Sequence, residues 1–245
     1  MDYSKYNVSF KEKILLLLVA IIAAFVISYL FYDSIWGMVI LPVFVVVIKK
    51  IYVGKKIDMQ KDTLTEEFID FLKNISTAML AGYSIENAWM EGQKELGLLH
   101  GKNSLMYREI SEMNRAITVN MPLENVLEKF ANRTGVDEIQ SFAEIFNFAK
   151  RSGGDFVGII DSTTNRLSQK YETYREIEVS LTSKKLEQKI MNGIPVFILA
   201  YLKLTSADYM EVLYGNMVGI IFMTVCLVAY GGAILLSEKI VNISV

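Results

Sequence analysis

The chain has 245 residues, 52% of them hydrophobic, with 25 basic against 27 acidic side chains and a formal net charge of −2. The charges are absent from residues 14–32, 34–48 and 212–237, and residues 190–207 carry only Lys203. Uncharged apolar runs of about 18 or more residues are long enough to cross a bilayer as helices. This excludes an ordinary soluble domain and a disordered chain, the single Cys226 excludes an intrachain disulfide scaffold, and the near-neutral charge leaves no electrostatic footprint for nucleic acid.

In chain order, residues 1–13 hold Lys5, Lys11 and Lys13 and precede the first apolar run, residues 14–32. That run is too long for a signal peptide's apolar region, has no small-x-small cleavage site, and is followed at once by a second run after Asp33 and Ser34. The two predict a membrane hairpin over residues 14–53, with Asp33 at its tip and Lys49, Lys50, Lys55 and Lys56 at its open end. By the positive-inside rule its ends face the cytoplasm. A second hairpin, residues 190–237, is bracketed by Lys184, Lys185, Lys189 and Lys239, with Asp208 and Glu211 in its outer loop. Residues 238–245 return to the cytoplasm. Lys203 falls near the outer interface, where it is expected to snorkel to water. Asn192, Pro195, Gly215, Gly219, Gly231 and Gly232 read as packing or kink positions.

Between the hairpins, residues 54–189 gather 18 basic and 21 acidic side chains. Thr63 and Glu66 read as a capping box opening a helix whose apolar stripe is Phe68, Phe71, Leu72, Ile75 and Met79. Three more stripes follow, from Met106, Leu123 and Ile139, and a longer one runs from Ile160 through Leu167, Tyr171, Tyr174 and Leu181 toward the second hairpin. No segment alternates with period two, so no sheet is expected. The predicted fold is an all-α integral membrane protein: four transmembrane helices in two hairpins flanking a cytoplasmic antiparallel helix bundle of about six helices.

Three joints between these helices echo one another. Gly82, Asn120 and the pair Gly153 and Gly154 tolerate a left-handed backbone, and Ser84, Pro122 and Asp155 then open the next helix. Good caps by themselves account for these residues. Of groups that could carry chemistry, the chain offers little. There is no phosphate-binding Gly-x-x-x-x-Gly-Lys-Ser/Thr loop, Asp155 after the glycine pair would repel phosphate, and His100 and Cys226 are each the only one of their kind. No catalytic residue, cofactor or metal site is assigned, and an enzyme is not expected. The carboxylates Glu66, Glu67, Asp70, Glu172, Glu176 and Glu178 read as solvated helix faces, of which Glu66, Glu67, Asp70, Glu172 and Glu176 are candidate partner contacts.

The stretch Ser76-Thr77-Ala78-Met79-Leu80-Ala81-Gly82-Tyr83-Ser84-Ile85 with Ala88 resembles the first helix pair of the type II secretion system F domain, in the single-domain form of the Flp/Tad pilus assembly platform proteins (TadB/TadC-like). Met121-Pro122-Leu123-Glu124-Asn125-Val126-Leu127 and Phe148-Ala149-Lys150-Arg151-Ser152-Gly153-Gly154-Asp155-Phe156 are similar to the family's later joints, in order, with Asn120 where the family usually has glycine. The resemblance covers about residues 64–236. It implies an inner-membrane platform of a type IV filament machine; that both termini are cytoplasmic is the expectation of the positive-inside rule. Such a platform couples a cytoplasmic secretion or assembly ATPase to pilin or pseudopilin subunits in the lipid bilayer without catalysis of its own. One F domain per chain implies a homo-oligomer or a pair with a second F-domain protein. The alternative is a small helical membrane signalling or channel-like subunit whose cytoplasmic bundle binds a ligand.

Overall fold

The computed structural model describes residues 3, 6, 8–34, 41–152, 155–206, 210, 213–214 and 216–241. Lys5, Gly153, Gly154, Asp208, Glu211 and Gly215 therefore lie outside the described residues. Among those described, all regular structure is helical: α1 Phe10–Ile27, continued by a π-turn Ser28–Tyr32, α2 Leu41–Leu80, α3 Ile85–Leu99, α4 Leu105–Thr118, α5 Leu123–Thr134, α6 Asp137–Ser152, α7 Phe156–Thr205 and α8 Met217–Val241. Two segments, Phe10–Tyr32 and Met217–Ile240, are long and apolar enough to cross a membrane. The chain divides into two compact units, a helical unit of Met1–Asn7 and Val53–Thr173 and an apolar unit of Val8–Tyr52 and Tyr174–Val245.

In the helical unit one face of α2 organises the core. Leu64, Phe68, Phe71, Leu72 and Ile75 recur at three- and four-residue spacing and are fully buried. Phe68 meets Phe142 edge-on at 5.5 Å and Phe130 at 6.3 Å, and Phe71 meets Trp89 edge-on at 4.8 Å, so this one face ties together α3, α5 and α6. The stripes of α4, α5 and α6 and the start of α7 (Ile160, Leu167) join the same core. Each large apolar side chain buried here is worth about 1.5–3 kcal/mol. Gly92 makes the α3 contact close: a Cβ there would stand 2.9 Å from the Phe71 ring.

The expected helix start at Thr63 is not there. α2 is already helical from Leu41, and the Thr63 hydroxyl donates back to the Met59 carbonyl at 2.9 Å, as a mid-helix threonine does. A cap signature competes with continuation of the helix, and nothing in residues 54–62 breaks it. The stripe on α7 also thins: Ile160 and Leu167 are buried, whereas Tyr174 is 39% exposed.

Two of the helix joints share one backbone design. Gly82 has φ +94°, its N–H donates to Met79 O at 2.9 Å, and the Tyr83 N–H reaches Ala78 O at 3.1 Å. Asn120 has φ +64°, with the same pair of bonds to Ile117 O (2.9 Å) and, from Met121, to Ala116 O (3.1 Å). Both are Schellman closures, which cover the last carbonyls of α2 and α4. Ser84 then accepts the Asn87 N–H at 3.4 Å, Pro122 stands at the start of α5, and Asp155 accepts the Gly158 N–H at 2.9 Å at the start of α7. A further left-handed residue, Gly135 at φ +58°, ends α5.

The apolar unit has its own small core of Leu30, Phe31 and Met223, with Val196, Leu199, Ala200 and Leu227 against it. α7 continues through Pro195. Gly219 admits a close backbone approach, since a Cβ there would run into the Leu213 carbonyl. Lys203 does not snorkel freely: its side chain is 11% exposed and its Nζ lies 2.6 Å from the Asp33 carboxylate. Asp33, expected only as the tip of the first hairpin, is its partner, and ends the π-turn with a left-handed φ of +46°.

Gly82 has open space where a Cβ would be, so a side chain there is opposed by conformation alone. Gly82→Val is expected to lower stability by about 1–3 kcal/mol, and Gly82→Asn by distinctly less, because asparagine tolerates the left-handed region. Thermal unfolding of the two variants checks this; equal melting temperatures would show that the joint carries no strain.

Candidate functional site

The candidate site of the helical unit lies between α4 and α5, and it begins with two carboxylates that fall in phase with apolar stripes. Glu67, between Leu64 and Phe71 on α2, is 5% exposed, and its Oε2 accepts the Met106 N–H at 2.7 Å. Met106 is in the first turn of α4, so the carboxylate meets one of the unpaired N–H groups at the positive end of that helix. The expectation of a solvated face is corrected here: Glu67 turns inward because α4 gives its charge a partner that water would otherwise supply. Glu109, on the buried stripe of α4, is 3% exposed. It receives the Tyr3 hydroxyl at 2.9 Å and an Arg133 guanidinium N–H from α5. Arg133 also comes within 3.9 Å of Glu112.

Burial, and then the Glu109 carboxylate, push the Tyr3 phenol well above its ordinary range, with Arg133 opposing. Beside this network opens a cleft of about 250 Å³ lined by the apolar Met113, Ala116, Met121, Val126 and Phe130 and by the charged Glu109, Glu112, Lys129 and Arg133. Met121 and Ala116 are also the pair closed by the Asn120 joint, so the joint shapes one wall. The arrangement can receive an apolar side chain or small amphipathic group and orient it by charge. It offers no activated nucleophile, and among the described residues no three His, Cys, Asp or Glu side chains gather as a metal would need.

None of the predicted partner residues lines this cleft, Glu67 included. Asp70 on α2 pairs with His100 at 2.9 Å and lies 3.9 Å from Lys73. Glu66 is half-buried, and Glu172, Glu176 and Glu178 are exposed on α7. Nearby pairs fasten neighbouring helices: the Lys150 ammonium holds the Glu124 carboxyl below its usual range, and Glu138 raises Lys170. The sequence analysis singles out neither Glu109 nor Arg133, because nothing along the chain pairs them. An acidic residue one turn from Met106 and Met113 on an apolar stripe was the signal available. Compared with protein-family models, curated proteins and solved structures, the chain matches none of them.

Glu67→Ala leaves a buried helix N–H without an acceptor and should cost about 1–3 kcal/mol in thermal unfolding, whereas Glu67→Gln, which keeps an oxygen there, should cost much less. Equal losses would overturn the capping role. The Tyr3 phenol stays protonated to higher pH in the folded chain than in the unfolded one. Its contribution is therefore complete below the usual tyrosine pKa of about 10 and is lost as pH rises toward the folded value. Tyr3→Phe should remove that alkaline part of the stability profile, measured by denaturant unfolding from neutral to alkaline pH.

Proposed function

We propose that this chain is an inner-membrane platform protein of a type IV filament machine, of the Flp/Tad pilus or type II secretion-like kind. In this reading four helices span the bilayer, the two apolar helices α1 and α8 being joined by residues 35–52 and 190–205. Both termini and an antiparallel bundle of residues 54–189 then lie in the cytoplasm, as the flanking lysines favour. The observation that carries the reading is α7. It is one 50-residue helix that begins among the buried core residues Ile160 and Leu167 and ends in the apolar stretch after Ile190. A continuous helix of this kind can pass movement driven by a cytoplasmic ATPase to segments that contact pilin, with no chemistry of its own. The ordered sequence joints at Gly82, Asn120 and Gly153 support the same assignment through the family resemblance. Assembly as a homo-oligomer or with a second F-domain protein completes the two-domain platform.

The α4–α5 cleft favours a second reading, a membrane signalling or channel-like subunit whose bundle receives a ligand. The two part company over what the chain binds and whether α7 must be stiff. A flexible Gly-Ser insertion after Lys185 should abolish filament assembly while the protein stays folded and in the membrane. Gentle detergent purification with mass spectrometry should recover a hexameric ATPase, a pilin or a second F-domain protein. Normal filaments from the insertion variant would sink the coupling role, and recovery of the chain alone would favour the second reading.

A further inference from the structure

We propose that Lys203 and Asp33 form an ionic clasp that lets residues 190–205 of α7 enter the membrane only as the partner of α1. The proposal rests on the membrane reading above and adds a dependence of one span on another. It starts from the end of α1. The π-turn Ser28–Tyr32 ends at the left-handed Asp33, and the last carbonyls of a helix have no partner within the helix itself. The Lys203 ammonium donates to the Tyr29 carbonyl, and the Tyr214 hydroxyl donates to the Leu30 carbonyl. Lys203 also reaches Asp33 Oδ1 at 2.6 Å and lies 3.5 Å from the centre of the Tyr29 ring and 5.1 Å from that of Tyr214. One cation thus meets a helix C-terminus, which favours positive charge, a carboxylate and two aromatic faces.

The exposure pattern decides between this clasp and simple snorkelling. Tyr201 and Leu204, on either side along α7, are 65% and 84% exposed, while the lysine side chain is 11% exposed. A snorkelling lysine would keep its head in water and be largely exposed. Here the charge points inward and the apolar side chains point out, the order expected of a helix that faces lipid and hides its one cation against a neighbour. Residues 190–205 contain Asn192 and Lys203, and no stretch there is apolar enough to be picked out as α1 and α8 are. Neutralised by Asp33, the segment loses its main penalty for entering the bilayer.

The test uses the full chain in lipid nanodiscs and compares Lys203→Met, Asp33→Asn, the double variant and the charge exchange Asp33→Lys with Lys203→Asp. Each single change should lower the melting temperature by about 5 °C. The double variant should lose less than the two losses added, and the exchange should recover little, because a carboxylate at 203 would face the Tyr29 carbonyl and the two ring faces. Snorkelling predicts the opposite sign, since Lys203→Met would make the span more apolar. A Lys203→Met chain that melts at or above the parent, or single losses that simply add, overturns the clasp. Labelling of Ser206→Cys, in a Cys226→Ser background, by a membrane-impermeant maleimide added outside spheroplasts gives the placement. Lys203→Asp should reduce it several-fold, and undiminished labelling would also overturn the clasp. Failure of the parent to label from outside counts against the membrane arrangement, and the melting comparison then decides the clasp by itself.

Discussion

The helical unit depends on the burial of one face of α2. Leu64, Phe68, Phe71, Leu72 and Ile75 form a ridge with no exposed surface, and the stripes of the unit's other helices join the same buried core. Trp89 on α3 answers Phe71, while Phe130 on α5 and Phe142 on α6 answer Phe68 from two sides. Close-packed interiors tolerate few voids, so the small residue Gly92 is as much part of this arrangement as the aromatic rings. The Schellman joints at Gly82 and Asn120 follow from it, because short helices must turn within a few residues to return to the ridge.

Charge inside the core follows a second rule. Glu67 and Glu109 are carboxylates on otherwise apolar faces, and both are met by strong donors: a helix N-terminus in one case, a guanidinium and a phenol in the other. Burying a carboxylate without such partners would cost several kcal/mol per charge. Their fixed donors set the height of α4 against α2 and join Tyr3 to the unit, while Arg133 borders the cleft that the Asn120 turn helps to wall. Packing and electrostatics therefore meet at the α4–α5 edge. The apolar unit solves the same problem once, with Lys203 among Asp33, Tyr29 and Tyr214.

Much of the helical pattern was legible along the chain. The stripes from Phe68, Met106, Leu123 and Ile139 are periodic at three and four residues, and a periodic stripe has to find a partner face whatever the topology. Left-handed backbone at Gly82 and Asn120 is readable for a related reason, since glycine adopts it freely and asparagine at lower cost than other side chains. The Thr63 signal misled because a threonine hydroxyl can cap a helix or bond back within one, and only the helical residues before it choose between these. Glu67 and Lys203 are misplaced, and Glu109 is not singled out, for want of their partners, which lie 39, 170 and 24 residues away in the chain.

By itself, then, the sequence determined an all-helical chain with long apolar segments, a charged helical stretch between them and the turns that separate its helices. These are properties of composition and near-neighbour spacing, set by backbone hydrogen bonding and by the period of the α-helix. Only the tertiary structure decided which charges are buried, because the cost of a buried charge depends on donors brought from distant residues. It decided the cleft between α4 and α5 for the same reason: a cavity is defined by side chains from two helices at once, and neither helix carries its shape alone.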